Sequence, residues 1–288
     1  MIDSLVRECA AAWVASGRAA LVVAVVAARG SVPRGPGTRM LVAADRTAGT
    51  IGGGHLELKA IAVARAMLAR GERTPREERH ALGPSLGQCC GGVVTLALGP
   101  LDAAALTAWA PAEPLFHLQL HGAGHVGRAV ATLLATLDVR VDWFDQRDEE
   151  FPATTDLGSA WPAHIRQIGG DTIEHEVRRA PPGAFYLVLT HEHALDERIT
   201  EAILRRGDFA FCGLIGSRTK RAKFLHRFEA RGIAAAAIER LTCPIGVPGI
   251  AGKAPEIVAA GAVAQLLQVA SELGRAAAPH LERDAARR

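Results

Sequence analysis

The sequence predicts an α/β protein with a small N-terminal α/β domain followed by a doubly wound parallel-sheet domain. Three observations predict it. From residue 115 onward, short apolar runs alternate with helical patterns, as in a parallel sheet whose crossovers are helices. The first of these runs leads directly into Gly122-Ala-Gly124-His-Val-Gly127, and the turn opens a helix. Before it, residues 99–114 carry Pro100, Pro111 and Pro114 and read as a short helix and linker between two different patterns. The expected division is 1–100 for the first domain, 101–114 for the linker, 115–275 for the second domain and 276–288 for a tail.

In the first half, residues 3–16 read as a helix closed by Gly17. ALVVAVVAA (19–27) is a buried-strand pattern, RGSVPRGPGTR (29–39) is loop chemistry, and MLVAAD (40–45) is a second strand. GTIGGGHLE (49–57) is a glycine loop feeding a helix over 55–70, which Gly71 closes. ERTPREERH (72–80) is polar and expected to be exposed. SLGQCCGG (85–92) has little side-chain bulk, and the strand VVTLAL (93–98) follows it. In the second half, strands are expected at 115–120, 139–145, 164–168, 185–190 and 209–216. Helices fall at 121–137 and near 171–179, 196–206 and 218–231, and an amphipathic helix over about 254–273 closes the pattern.

A chain of 288 residues suggests about two domains. Lys plus Arg number 33 and Asp plus Glu 30, a balance that argues against a general nucleic-acid binder. The five cysteines, Cys9, Cys89, Cys90, Cys212 and Cys243, follow no disulfide framework and fit a reducing compartment. The opening residues lack the pattern of a signal peptide, and the apolar run Ala19–Ala28 is too short to span a bilayer. The expectation is a cytoplasmic protein with neither a membrane nor a nucleic-acid partner.

The glycine spacing has a physical reading. Gly122 permits a tight turn, Gly124 lets backbone approach a phosphate, and Gly127 permits close packing of helix on strand. The helix N-terminus supplies amide donors and positive potential. Asp145 ends the next strand, where a ribose-binding carboxylate is expected. These four residues also support a second reading, an NAD(P)-dependent oxidoreductase. In LTHEHALDE, His191, His193 and Asp196 stand at the C-terminal end of a strand, where open α/β sheets place ligand groups. No further ligand set follows them, so a ligand-lining or structural role is preferred to a metal site. In the first half, Gly52, Gly53 and Gly54 precede His55 and can form an anion-binding nest, with Arg34 and Arg39 nearby as phosphate partners. The alternative is a sharp turn beside solvated arginines. Two such loops, one per domain, point to a ligand with anionic groups.

Cys89 and Cys90 do not suit a disulfide with each other. Adjacent Cα atoms lie about 3.8 Å apart, while disulfides usually span about 4.4–6.8 Å. In an extended segment their side chains take opposite faces. Cys90, beside Gly91 and Gly92, is expected to face a ligand, and Cys89 to pack inward. The alternative is a pair of buried structural thiols.

Seven segments resemble, in order, the XdhC/CoxI family: GSVPRGPGTRMLV, GTIGGGHLE, LGPSLGQCCGG, GAGHVGRAVA, VLTHEHALD, GLIGSRTKRAKF and PIGVPGIAGKAPEI. The resemblance runs from about residue 18 to 270. It implies a small N-terminal α/β domain and a C-terminal Rossmann-like domain. It also implies a molybdenum-cofactor chaperone rather than a turnover enzyme. Such a protein binds the molybdopterin form of the cofactor and shields it while a cysteine desulfurase supplies its sulfido ligand. It then delivers the cofactor to apo xanthine dehydrogenase, through the molybdenum-binding subunit, or to a related hydroxylase. A homodimer is implied as well. On this resemblance a thiol of the CCGG stretch, with Cys90 as the candidate, ligates molybdenum, holds sulfur transiently or contacts the dithiolene region, since soft thiolates suit such metals. The Gly122–Gly127 motif then holds the pterin phosphate or an accessory nucleotide.

Overall fold

The computed structural model describes residues 3–82, 91–111, 113–170 and 173–277. The chain forms two compact units, Met1–Glu113 and Pro114–Arg288.

The first unit runs α1 (Asp3–Ala15), β1 (Ala20–Arg29), β2 (Arg39–Ala43), β3 (Thr47–Gly49), α2 (Gly54–Ala69), β4 (Arg76–Ala81), β5 (Val93–Pro100) and α3 (Ala103–Ala108). Its five strands lie in the order β3-β2-β1-β5-β4, antiparallel throughout. α2 presents Leu56, Ala60, Ala64 and Met67 at helical spacing, and these bury against Val23, Val25, Met40, Val42, Leu96 and Leu98. A second cluster joins Val6, Ala10 and Trp13 of α1 to Leu41, Ala43, Leu101 and Trp109. Burying a side chain such as Leu41 or Leu56 contributes about 1.5–3 kcal/mol.

Two stretches read only coarsely from the sequence gain structure here. The polar stretch 72–80 contains most of β4, which among the described residues pairs only to β5 as an edge strand, and its charged residues suit an edge. Residues 101–109 are not a free linker. The Leu101 N–H donates to Ala20 O at 2.9 Å, and Trp109 Nε1 donates to Asp3 Oδ2 at 3.0 Å. Asp102 caps α3 by accepting the Ala105 N–H at 2.8 Å.

The second unit runs β6 (His117–His121), α4 (His125–Leu134), β7 (Arg140–Asp145), a 3-10 turn (Asp148–Glu150), β8 (Ile165–Gly169) and α5 (Ile173–Arg179). It continues with β9 (Phe185–Val188), α6 (His193–Arg206), β10 (Phe211–Leu214), α7 (Arg218–Ala230), α8 (Ala235–Glu239), β11 (Leu241–Thr242) and α9 (Pro255–Ala277). All strand pairings are parallel, in the order β11-β10-β9-β6-β7-β8. The chain winds from β6 to β8 on one side, then crosses over and winds from β9 to β11 on the other. This is the doubly wound sheet that the sequence predicts, and it reverses direction between β6 and β9.

α4 and α9 belong to one core with Leu118, Leu120, Val141 and Trp143. Helices α6 to α8 belong to the other, with Phe144, Tyr186, Cys212 and Leu214. On α9, Ala259, Ala262, Val263 and Leu266 form the packed stripe, while Ile257 and Leu273 stay exposed. Among the described residues, the stretch Pro255–Arg275 of this helix is the one long and apolar enough to cross a bilayer.

Candidate functional site

The turn from β6 into α4 lies beside the reversal point of the sheet. Gly122 has φ +122, and a Cβ there would lie 2.3 Å from Leu189 O. A Cβ on Gly127 would lie 2.0 Å from Gly122 O. Both glycines are therefore required by close backbone approach. Gly124 differs from them. It precedes α4 in an ordinary extended conformation, and a Cβ there would meet nothing within 4 Å. The open space at Gly124 leads to the N-terminal amides of α4, an arrangement suited to an anion.

Asp145 ends β7 at the expected place, but its carboxylate is fully engaged. Oδ2 accepts the Ala123 N–H at 2.7 Å and Arg147 Nη2 at 3.2 Å. Oδ1 accepts the backbone N–H and the Nε–H of Arg147, both at 3.0 Å. Burial opposes ionisation of Asp145, yet these donors outweigh it and hold the carboxyl below its ordinary range. Arg147 also donates to Glu150 Oε1 at 3.0 Å. Glu150 Oε2 accepts from Arg128 at 2.7 Å, and Arg128 Nε donates to Ala123 O at 2.9 Å.

At the end of β9, His191 and His193 are both exposed. Asp196 turns inward from the first turn of α6 and is 1% exposed. It accepts the Thr190 N–H at 2.9 Å, the Thr190 hydroxyl at 2.7 Å and Lys220 Nζ at 2.5 Å. Lys220, from the first turn of α7, also donates to Ile215 O at 3.0 Å. Asp196 thus ties two strand ends to two helices. Among the described residues, no group of three or more His, Cys, Asp or Glu could hold a metal ion.

His121, the last residue of β6, is fully buried between Phe144 and Tyr186, with ring centroids 5.1 and 6.5 Å away. Neither ring nitrogen has a hydrogen-bond partner among the described residues. Burial lowers its pKa to about 3, so the ring is neutral. At the opposite end of the strands, Asp142 is neutralised by His117 Nε2 at 2.7 Å and Arg166 Nε at 2.7 Å.

In the first unit, three of the sequence motifs meet. A Cβ on Gly52 would lie 2.7 Å from Pro33, and one on Gly92 would lie 2.4 Å from Ser31 O. The Gly92 N–H donates to Ser31 O at 3.1 Å. The loops GSVPR, GGGH and the end of CCGG therefore pack on one another through glycine backbone. Gly52, Gly53 and Gly54 all have positive φ. Their nest already holds an anion from the chain itself. Glu57 Oε2 accepts the Ile51 N–H at 3.0 Å, the Gly53 N–H at 3.1 Å and the Thr50 hydroxyl. His55 and Arg34 are exposed. Arg39 is not available as a phosphate partner, because it stacks on Trp109 at 4.8 Å and donates to Gly37 O at 3.0 Å. Cys89 and Cys90 lie outside the described residues.

Sequence reasoning missed three groups. Arg147 stands two residues after Asp145, and Glu57 four after Gly53, so proximity was the available signal. Lys220 follows the GLIGS turn at the same strand ends as the glycine motif.

Residues 118–266 match the family model described as the XdhC Rossmann domain, and residues 13–79 match that of the XdhC and CoxI family. The first match alone takes in more than half of the chain. The chain belongs to the XdhC and CoxI family. The Rossmann match contains the Gly122–Gly127 turn, Asp145, Arg147 and Lys220, and the other contains both first-unit loops up to His55. The two thiols of CCGG fall outside both matched spans. Among relatives of this XdhC/CoxI chain is the uncharacterized protein YqeB of Escherichia coli (strain K12), 33% identical over 258 residues. That alignment covers 85% of this chain and 42% of YqeB, so the chain spans about two fifths of the relative's length. A solved structure described as a xanthine dehydrogenase from Bacillus halodurans superposes with a TM-score of 0.75 at 19% identity, covering 97% of this chain and 98% of the other. That likeness establishes the shared fold.

Proposed function

We propose that this XdhC/CoxI-family protein binds molybdenum cofactor in its molybdopterin form, shields it during sulfuration, and delivers it to apo xanthine dehydrogenase or a related molybdenum hydroxylase. It acts as an accessory protein in the cytoplasm and turns over no metabolite. The observation that carries the reading is the open Gly124 at the head of α4, set between two glycines that backbone contact closes. A phosphate monoester fits there, because the α4 amides supply donors and Gly124 leaves room for close approach. The bound cofactor supplies the molybdenum and dithiolene chemistry. The chain's own residues grip the phosphate, orient the pterin and limit its contact with water. His191 and His193 stand at the same strand ends as a polar rim. Cys90 is proposed as the soft contact to molybdenum or sulfur. A cysteine desulfurase as sulfur source and a homodimer as working unit complete the proposal.

The oxidoreductase reading needs a carboxylate open to a ribose, and the four donors on Asp145 speak against it. The test is retention of molybdopterin through gel filtration, read by pterin fluorescence and molybdenum analysis. Wild type should retain the cofactor. Gly124→Asp should lose it while melting normally, since its side chain brings bulk and negative charge to the phosphate position. Equal retention by both proteins, or substrate-dependent oxidation of NADH, would overturn the proposal.

A further inference from the structure

We infer that Arg147 sets the ligand selectivity of the β6–α4 turn, by closing the carboxylate that a dinucleotide's ribose would require. The inference rests on the reading that this turn holds a phosphate monoester. Dinucleotide-binding domains use the acid at the end of the second strand to accept hydrogen bonds from ribose hydroxyls. Asp145 occupies that position, with its side chain 2% exposed. An ionised carboxylate offers about four acceptor sites. Ala123 N–H, Arg147 N–H, Arg147 Nε and Arg147 Nη2 fill them.

Arg147 is itself held in place. Its Nη1 pairs with Glu150, Glu150 pairs with Arg128, and Arg128 returns to Ala123 O. The result is a closed ring, Asp145–Arg147–Glu150–Arg128, anchored at both ends on the backbone of Ala123 in the glycine turn. The ring carries two positive and two negative charges, so it presents little net attraction to an anion. A ribose diol would have to displace a charge-assisted, two-pronged guanidinium contact, which neutral hydroxyls do poorly. The extra phosphate of NADPH meets a guanidinium whose charge is already offset by Asp145 and Glu150 and which has three of its five N–H donors engaged. A phosphate monoester ends at the α4 amides and does not need Asp145. Arg147 therefore separates a dinucleotide from a monoester without touching the monoester.

The experiment titrates NADH and NADPH into wild type, Arg147→Ala and Arg147→Gln, following nicotinamide fluorescence. Molybdopterin retention and thermal melting are measured on the same samples. Freeing the carboxylate should tighten NADH binding by about tenfold to a hundredfold, the worth of hydrogen bonds to a charged group. Molybdopterin retention should not change. The glutamine variant keeps much of the side-chain volume without the charge, so a gain there shows that bulk does not set the effect. The inference is overturned if wild type binds either nicotinamide dinucleotide as tightly as the variants do, or if folded variants gain nothing. Molybdopterin retention without a gain in NADH affinity defeats the Arg147 inference and leaves the proposed function standing. A gain in NADH affinity with no molybdopterin retention by any of the three proteins does the reverse.

Discussion

Replacing Gly127 with alanine tests whether the glycine turn is held by backbone contact. The new Cβ would lie 2.0 Å from Gly122 O, so the turn must shift by more than an ångström. Overpacking of this kind costs about 1–3 kcal/mol. Gly122 O also accepts the indole N–H of Trp143 at 2.9 Å, and Trp143 is fully buried. If that carbonyl turns away, an orphaned buried donor adds about 1–3 kcal/mol. Gly127 lies inside α4, where alanine is the better helix former by about 1 kcal/mol. The net expectation is a loss of about 1–5 kcal/mol, centred near 3. Gly124→Ala is the internal control, since its Cβ meets nothing within 4 Å and its φ of −68 suits any residue. It should cost no more than about 1 kcal/mol, the usual range for a change at a helix cap. Urea unfolding followed by tryptophan fluorescence compares the two. A Gly127→Ala protein within about 0.5 kcal/mol of wild type, the ordinary range for an inconsequential substitution, would refute the argument.

Three further outcomes follow from the same geometry. Lys220→Met should destabilise by about 3–5 kcal/mol, because it strands the buried Asp196 carboxylate, and adding Asp196→Asn should recover much of that loss in urea unfolding. His121 stays neutral in the folded state down to about pH 3, while in the unfolded chain it protonates near its ordinary value of 6.5. The unfolded state thus binds more protons between those values, so stability should fall as pH drops from 6.5 toward 3, by up to about 1.4 kcal/mol per unit; His121→Phe should flatten that slope between pH 7 and 5. Cys90→Ser should impair molybdopterin retention and abolish fast alkylation at near-normal stability, whereas Cys89→Ser should mainly lower the melting temperature; the reverse result would assign the ligand-facing role to Cys89.

The second unit was legible because its signals are local. β6, the glycine spacing, α4 and β7 follow within 30 residues, and each strand announces itself by an apolar run. The first unit was harder. β3 has three residues, and β4 reads REERHA, with no apolar alternation, because an edge strand buries little. Prolines hid the burial of Leu101 and Trp109. At the site, the positions of Gly122, Gly124, Gly127 and Asp145 were readable, but their partners were not. Sequence shows which groups can donate or accept. It does not show that Arg147 wraps Asp145, or that Arg39 finds Trp109 seventy residues away, because those choices depend on rotamer and tertiary approach.

Glu57 gives the first unit's glycine loop a resident competitor. Its carboxylate is tethered four residues from Gly53, so its effective concentration at the Ile51 and Gly53 amides far exceeds that of any free anion. An incoming phosphate must first evict it, and the evicted charge then stays close enough to repel the newcomer. A free anion would therefore compete for these two amides at a disadvantage to the tethered carboxylate.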